Sequence, residues 1–311
     1  MNFSSAAALR SWHRPLVVLT GAMAVLAAVS VIGLLVDDRV LAAAPIWAKP
    51  LKFALSIAVY SLTLAWLLQL LTRGSRLAWW AGTVIATGCV IETVSITGQV
   101  VRGRRSHFNF RTPFDSAVYD VMATTITVVW LATVIVAVLL FRSTIADRAA
   151  ARAIRIGAAL GLTGMGLGFL MTRPTPAQMR ETSGIFGAHS VGVPDGGPSM
   201  PLTGWSTTGG DLRIPHFVGI HALQLIPLAL LGMLALSARV PRLRDERARA
   251  RLVAVTGAAY AALLALVTWQ ALRGQSLVHP DATTLCAAGL IAVGAVVGAG
   301  LSLRRPVLGC E

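Results

Sequence analysis

Residues 77–101, LAWWAGTVIATGCVIETVSITGQVV, form an apolar stretch that decides the fold of this chain. The stretch exceeds the roughly 20 residues that a helix needs to cross a bilayer, so it predicts a transmembrane helix. Glu92, near its middle, is its single charged residue. A carboxyl group at bilayer depth is costly unless it is paired, protonated or facing water, and intramembrane ionisable residues therefore usually mark function. Glu92 is the first candidate for a functional residue.

The composition extends this prediction to the whole chain. Hydrophobic residues make up 55% of the 311 residues and charged residues only 13%, against about 25% charged residues in soluble domains. We predict an all-α polytopic transmembrane helix bundle with about eight spans, forming a single integral membrane domain over residues 1–311. The predicted spans are Pro15–Val36, Leu51–Leu71, Leu77–Val101, Ser116–Phe141, Ala149–Met171, Pro215–Ser237, Leu252–Leu272 and Asp281–Leu303.

The charge distribution predicts how the helices are oriented. If the N-terminus is cytoplasmic, sixteen of the 27 lysines and arginines fall on the side that both termini share, as the positive-inside rule requires. Both termini are therefore predicted to be cytoplasmic, in a bacterial cytoplasmic (inner) membrane. Residues 238–251 form a basic cytoplasmic loop that we expect to touch anionic lipid and not nucleic acid. The first apolar stretch is longer than a signal-peptide core, and we interpret it as a retained helix.

Glu92 begins a stripe of polar residues that recur at steps of three and four along one helical face. The stripe leads to an arginine-rich loop, Val101–Asp115, on the outer side. This loop either binds outer-leaflet phosphates, or indicates a miscounted span, or forms an anion-binding mouth above Glu92. The residues of the stripe and the loop that we expect to bind substrate are Gln99, Arg102, Arg105 and His107.

Polar residues on four further helices lie on the same outer side. They predict a water-filled vestibule, because polar groups at membrane depth face cavities or one another. Interhelical hydrogen bonds, which are common between transmembrane helices, are the alternative interpretation. The residues are Lys52, Ser56, Tyr60 and Thr63 in the second span, Asp120, Thr124 and Thr127 in the fourth, His221 and Gln224 in the sixth, and Gln270 and Arg273 at the end of the seventh.

Five of the six histidines lie on the outer side, which suggests a metal or haem ligand. His216 and His221 are five positions apart, about 140° around a helix, so they chelate one ion only if His216 precedes the helix. A divalent metal is the candidate cofactor. Haem is less favoured, because only His221 lies well inside a span. The alternative is that His221 forms a hydrogen bond with Glu92 or Gln224.

The connection between the fifth and sixth spans, residues 172–214, is the longest outer loop and is rich in turn-forming residues. Connections of this length are usually functional or disordered. Trp205, Asp211 and Arg213 are candidates to cap the vestibule as a lid, with Gly209–Gly210 as a hinge. A flexible connector is the alternative interpretation.

Three segments carry a family likeness: Pro45–Ser56 (PIWAKPLKFALS), Arg102–Asp115 (RGRRSHFNFRTPFD) and Gly204–Gln224 (GWSTTGGDLRIPHFVGIHALQ). They resemble segments of a family of bacterial multi-spanning integral membrane proteins usually labelled uncharacterised. The resemblance covers the chain from the second span through the sixth and implies a shared membrane architecture. It brings no activity and no residue roles with it.

Three classes of function remain open. In the favoured one, a membrane enzyme acts on an anionic or lipid-like substrate near the outer leaflet, with Glu92, His221 and Lys52 as catalytic residues. The second is a proton-coupled transporter that uses Glu92, although the inner halves of the helices are mostly apolar. The third is a non-catalytic structural or sensory protein with a buried Glu92–Lys52 pair. Membrane lipids are expected partners, and the residues predicted to bind a small anionic molecule are Gln99, Arg102, Arg105, His107, Asp120, Trp205, Asp211, Arg213 and Gln224.

Overall fold

The computed structural model describes residues 12–71, 74–175, 178–180 and 184–304, so both ends of the predicted domain lie outside it. Within these residues, eight helices are each long and apolar enough to cross a membrane. The predicted all-α bundle of eight spans is therefore confirmed. The helices are α1 (Arg14–Val36), α2 (Ala48–Leu68), α3 (Ser75–Val101), α4 (Pro113–Arg142), α5 (Arg148–Leu167), α6 (Arg213–Leu236), α7 (Glu246–Leu272) and α8 (Ala282–Leu303).

Side-chain caps fix where several helices begin. The Thr112 hydroxyl accepts a hydrogen bond from the Asp115 amide at 3.1 Å, and α4 therefore starts before the predicted Ser116. Asp245 accepts from the Arg247 amide at 2.9 Å and starts α7 six residues before the predicted Leu252. The predicted basic loop, residues 238–251, is accordingly a short 3-10 turn followed by the first turns of α7.

The helices pack as two halves, α1–α4 and α5–α8. Within the second half, α5 and α6 approach most closely through glycines. A Cβ atom added to Gly164 would collide with the backbone of Gly219 on α6, so only glycine permits this contact. The halves meet where α4 packs against α5 and, less extensively, where α2 meets α6. This loose junction leaves room for the cavity described below.

The connections lie on two faces of the bundle. The loop face carries residues 37–47, 102–112, 173–175, 178–180, 184–212 and 273–281. The terminal face carries both ends of the described chain and residues 69–71, 74, 143–147 and 237–245. Two short hairpins lie on the loop face: β1 (Val40–Leu41) with β2 (Ala44–Pro45), and β3 (Ser190–Val191) with β4 (Gly210–Asp211).

Backbone hydrogen bonds join the two central connections of the loop face. The Phe110 amide donates to the Gly184 carbonyl at 2.7 Å, and the Phe186 amide donates to the Phe108 carbonyl at 3.0 Å. Asn109 and Ile185 form a β-bridge between these bonds. Residues 102–112 and 184–212 therefore fold together as one cap over the loop-face ends of the helices.

Candidate functional site

A cavity of about 900 Å3 lies between the two halves of the bundle. It follows α2 from Lys49 to Leu67 and α4 from Tyr119 to Leu140. At a rise of 1.5 Å per residue the α2 stretch is about 27 Å long, close to the thickness of a hydrocarbon core. The charged side chains in its lining all lie toward the loop face, and the part toward the terminal face is apolar, with Leu67, Val136 and Leu140 in its wall. The cavity is thus amphipathic along its length.

Glu92 lies in the wall of this cavity and is only 4% exposed. It is nine residues from the end of α3, which places its backbone about 14 Å below that end. Its Oε1 atom is 3.4 Å from Nε2 of His107. Its Oε2 atom has no hydrogen-bond partner among the residues that the structure describes. One carboxylate oxygen is therefore held, and the other is buried without a partner among the described residues.

His107 reaches Glu92 because the connection after α3 folds back into the bundle. Ser106, Phe108 and Asn109 on either side of it are buried. Phe108 has a φ of 60°, in the left-handed region that a bulky side chain rarely adopts. Strained backbone of this kind persists where the surrounding structure over-determines it, which is common at functional sites.

Lys49, His107 and Glu92 form a chain of hydrogen bonds. The Lys49 ammonium lies 3.0 Å from His107 Nδ1, and the Ser106 hydroxyl lies 3.1 Å from the same atom. An ammonium group can only donate, so Nδ1 accepts, and the ring proton lies on Nε2 and is donated to Glu92. Burial, reinforced by the positive charge of Lys49, lowers the pKa of His107 below its ordinary value, and Glu92 offsets this only in part. His107 is therefore a neutral imidazole at neutral pH.

Further cations surround the loop-face end of the cavity. The Lys52 ammonium donates to the Thr203 carbonyl at 2.7 Å. The Arg213 guanidinium donates to the neighbouring Gly204 carbonyl at 2.6 Å. Both side chains thus hold the cap while they line the cavity, together with Lys49, Arg104 and Arg105. Cations outnumber carboxylates in this lining, which favours an anionic ligand.

A second histidine–carboxylate pair lies within the cap. His189 Nδ1 is 2.8 Å from the Asp195 carboxylate, which also accepts hydrogen bonds from the backbone amides of His189 and Ser190. Burial and, to a lesser degree, the positive charge of Arg213 lower the pKa of His189 to about 4. The hydrogen bond to Asp195 opposes this shift only in part. Although burial alone would raise the pKa of Asp195, the hydrogen bonds from His189 hold it below its usual range. The pair fixes the cap with a neutral imidazole and an ionised carboxylate.

The structure brings most of the residues predicted for the site to the cavity and leaves four elsewhere. Gln99 donates to Asp115 at 2.9 Å, and Arg102 binds both of these side chains, so the end of the predicted stripe is tied to the start of α4. Asp120 is exposed outside the lining, and the fully buried Asp211 braces the cap. The predicted residues in the lining are Glu92, Lys52, His221, Arg105, His107, Trp205, Arg213, Gln224 and His216.

The two histidines predicted as metal ligands have separate surroundings. His216 Nδ1 donates to the Gly164 carbonyl of α5 at 2.8 Å. The His221 ring packs against Phe217 at 4.3 Å between centroids, and its Nε2 atom has no hydrogen-bond partner in the described parts of the chain. Glu92 pairs with His107 and not with His221. Among the described residues, no three side chains of the ligating types His, Cys, Asp and Glu come together.

Residues of the site that the sequence prediction did not single out include Lys49, Ser106 and Asp195. Lys49 could have been identified from the sequence, because it precedes Lys52 by three positions and so lies on the same helical face. Ser106 and Asp195 could not, since their positions depend on how the two connections fold together.

The fold and this site define an integral, multi-pass membrane protein with a buried carboxylate–imidazole pair in the wall of an amphipathic cavity. Comparison of the chain with protein-family models, with curated proteins and with solved structures finds no match.

Proposed function

We propose that this protein is a membrane-embedded enzyme that performs acid–base chemistry on an anionic, lipid-like substrate taken from the loop-face leaflet. The observation that carries the proposal is Glu92, buried in the cavity wall with one oxygen bonded to His107 and the other without a partner in the described structure. A carboxylate so placed is costly for folding, and such groups are usually retained for function.

The shape and charge of the cavity support the substrate class. A long apolar body, lined by residues such as Leu67 and Leu140, suits a hydrocarbon chain. The head of the same molecule would then lie among Lys49, Lys52 and Arg213, where an anionic group is stabilised. A small hydrophilic anion would leave the apolar body unused.

The groups at the loop-face end have complementary roles in this proposal. Glu92 is the catalytic residue, and its Oε2 atom takes a proton from a hydroxyl group or a water molecule at the substrate head. His107 is a positioning residue, because it donates to Oε1 and holds the carboxylate in one orientation. Lys49 and Lys52 stabilise negative charge that develops at the head as the proton leaves.

The cavity favours an enzyme over a proton-coupled transporter. Beyond the Tyr60–Thr133 hydrogen bond, toward the terminal face, the described walls are apolar, with Leu67, Val136 and Leu140, and offer a proton no further polar group. It also favours an enzyme over a structural ion pair. Lys52 donates to the cap carbonyl of Thr203, so it is not committed to Glu92 as a purely structural pair would require.

Reconstitution into vesicles made from a total membrane lipid extract tests the proposal. Mass spectrometry of the lipids before and after incubation should show one anionic lipid converted to a product by the wild type. Glu92→Gln should abolish this conversion, and Asp120→Asn, which changes an exposed carboxylate on α4, should not. Redistribution of a lipid between leaflets without any product, or equal conversion by Glu92→Gln, would contradict the proposal.

A further inference from the structure

A second cavity, of about 580 Å3, lies on the terminal face between the end of α4 and the start of α5. It is at the opposite end of the bundle from the Glu92 site and shares no lining residue with it. Its lining contains four arginines, two hydroxyl side chains and no carboxylate: Arg142, Ser143, Thr144, Ile145, Arg148, Ala151, Arg152, Arg155 and Ile156.

The carboxylates near this arginine cavity are already engaged. Asp147 pairs with Arg249 at 3.0 Å and also caps α5. The Glu246 carboxylate accepts a hydrogen bond from the backbone amide of Arg148 at 2.7 Å. In the described part of the chain, no carboxylate therefore pairs directly with the four arginines of the cavity.

Two of the four arginines are held in place by backbone carbonyls. Arg152 donates to the Ala250 carbonyl at 2.7 Å, and Arg155 donates to the Ser143 carbonyl at 3.2 Å. The Nε atom of Arg155 is buried and has no hydrogen-bond partner among the described residues. A merely topogenic cluster of arginines needs no such fixed orientation. Pre-positioned guanidinium groups with free donors are what a phosphate group requires.

We infer that the arginine cavity binds a phosphate group, supplied by the head of an anionic phospholipid in the terminal-face leaflet. Arginine forks match the oxygens of a phosphate, and the hydroxyls of Ser143 and Thr144 lie in the same wall. Ile145 and Ile156 give the lining an apolar side for the acyl portion of a lipid. Basic cavities between transmembrane helices are a known form of anionic headgroup site. Inorganic phosphate would offer the arginines the same phosphate oxygens but would leave the apolar side of the cavity unoccupied.

Native mass spectrometry of the detergent-purified protein tests this inference, with phosphatidylglycerol, phosphatidylcholine and inorganic phosphate as probes. The test variant is Arg142→Gln/Arg148→Gln, because these two side chains make no hydrogen bond or ion pair in the described structure. The control is Arg239→Gln/Arg242→Gln, which removes the same charge from the same face outside the cavity. Melting followed by tryptophan fluorescence checks that both variants fold.

The wild type and the control should retain one phosphatidylglycerol molecule through delipidation and bind it at least about tenfold more tightly than the test variant, as the loss of charge-assisted hydrogen bonds implies. Phosphatidylcholine should bind weakly to all three. Inorganic phosphate that binds the wild type and not the test variant, while phosphatidylglycerol does not discriminate, would make free phosphate the ligand. Equal weakening in the two variants would show diffuse surface attraction and overturn the site.

Discussion

Glu92 and His107 are 15 positions apart and belong to different elements, yet Glu92 Oε1 lies 3.4 Å from His107 Nε2. The carboxylate comes from within the membrane-spanning part of α3, and the imidazole comes from the connection that follows it. The pair exists because this connection turns inward, with Ser106 and Asn109 buried beside the imidazole. Irregular backbone at such depth is tolerated where it is covered by protein or lines a cavity.

The pH dependence of turnover should reflect the neutral state of His107. Its pKa lies below the ordinary value through burial and the charge of Lys49, so activity should persist as the pH falls to 6.5 and decline only at lower pH. Lys49→Met removes one cause of the lowered pKa and should move this decline to higher pH. A pH–rate profile of the two proteins checks the shift, and coincident profiles would contradict the assigned hydrogen-bond chain.

Lys52→Met should weaken substrate binding more than it slows the reaction. The ammonium lies at the loop-face end of the cavity, where the anionic head would bind, so its loss should raise KM about tenfold. Arg173→Met removes an exposed cation from the same face outside the cavity and should leave KM within about twofold. If both variants raise KM equally, the cations would be acting through long-range attraction and not through the site.

His189 should make the protein less stable in mild acid. Its pKa is about 4 in the fold and about 6.5 in an unfolded chain, so between these values the unfolded state binds more protons. The stability contributed by the neutral imidazole is complete above pH 6.5 and is lost as the pH falls toward 4. His189→Asn keeps a donor for Asp195 without a titrating ring.

The melting temperature of the His189→Asn variant should therefore fall less between pH 7 and pH 5 than that of the wild type. His279→Asn, at an exposed histidine of the same face, is the control and should retain the wild-type fall. A parallel fall in all three proteins would refute the role of His189.

Gly164→Ala should destabilise the protein by about 1–3 kcal/mol, because the added Cβ would collide with the backbone of Gly219 and push α5 from α6. Gly166→Ala lies on the same helix, where an added Cβ meets nothing within 4 Å. This control should be neutral or slightly stabilising, since alanine favours the helix. Chemical or thermal unfolding in one detergent compares the two, and equal losses would contradict the close contact.

The eight spans could be predicted from the sequence because the bilayer imposes length and apolarity on each helix. Glu92 could be singled out for the same reason, as a charge in an apolar stretch. The rotation of each helix about its axis could not be predicted from the sequence, because helix surfaces that face lipid and those that face other helices are both apolar. Thr127 lines the cavity as expected, whereas Asp120, seven residues earlier on the same face, is exposed near the start of α4.

The hydrogen-bond partner of Glu92 could not be predicted from the sequence, because it depends on the tertiary folding of the connections. Helical spacing assigned Gln99 and Arg102 to a ligand, but Asp115 at the start of α4 binds both. The partner of Glu92 is His107, which the inward turn of the connection brings to it, and not His221. The sequence pattern thus pointed to residues that line one cavity, Glu92 among them, whereas the loops determine the contacts of Glu92.

The most direct test of the central claim is the turnover number of Glu92→Gln on the converted lipid. Loss of the catalytic base should lower kcat by about 10²–10⁴-fold, with a melting temperature close to that of the wild type because the amide fits the same space. Asp120→Asn should keep the wild-type kcat. A Glu92→Gln variant that folds and turns over as fast as the wild type would contradict the account.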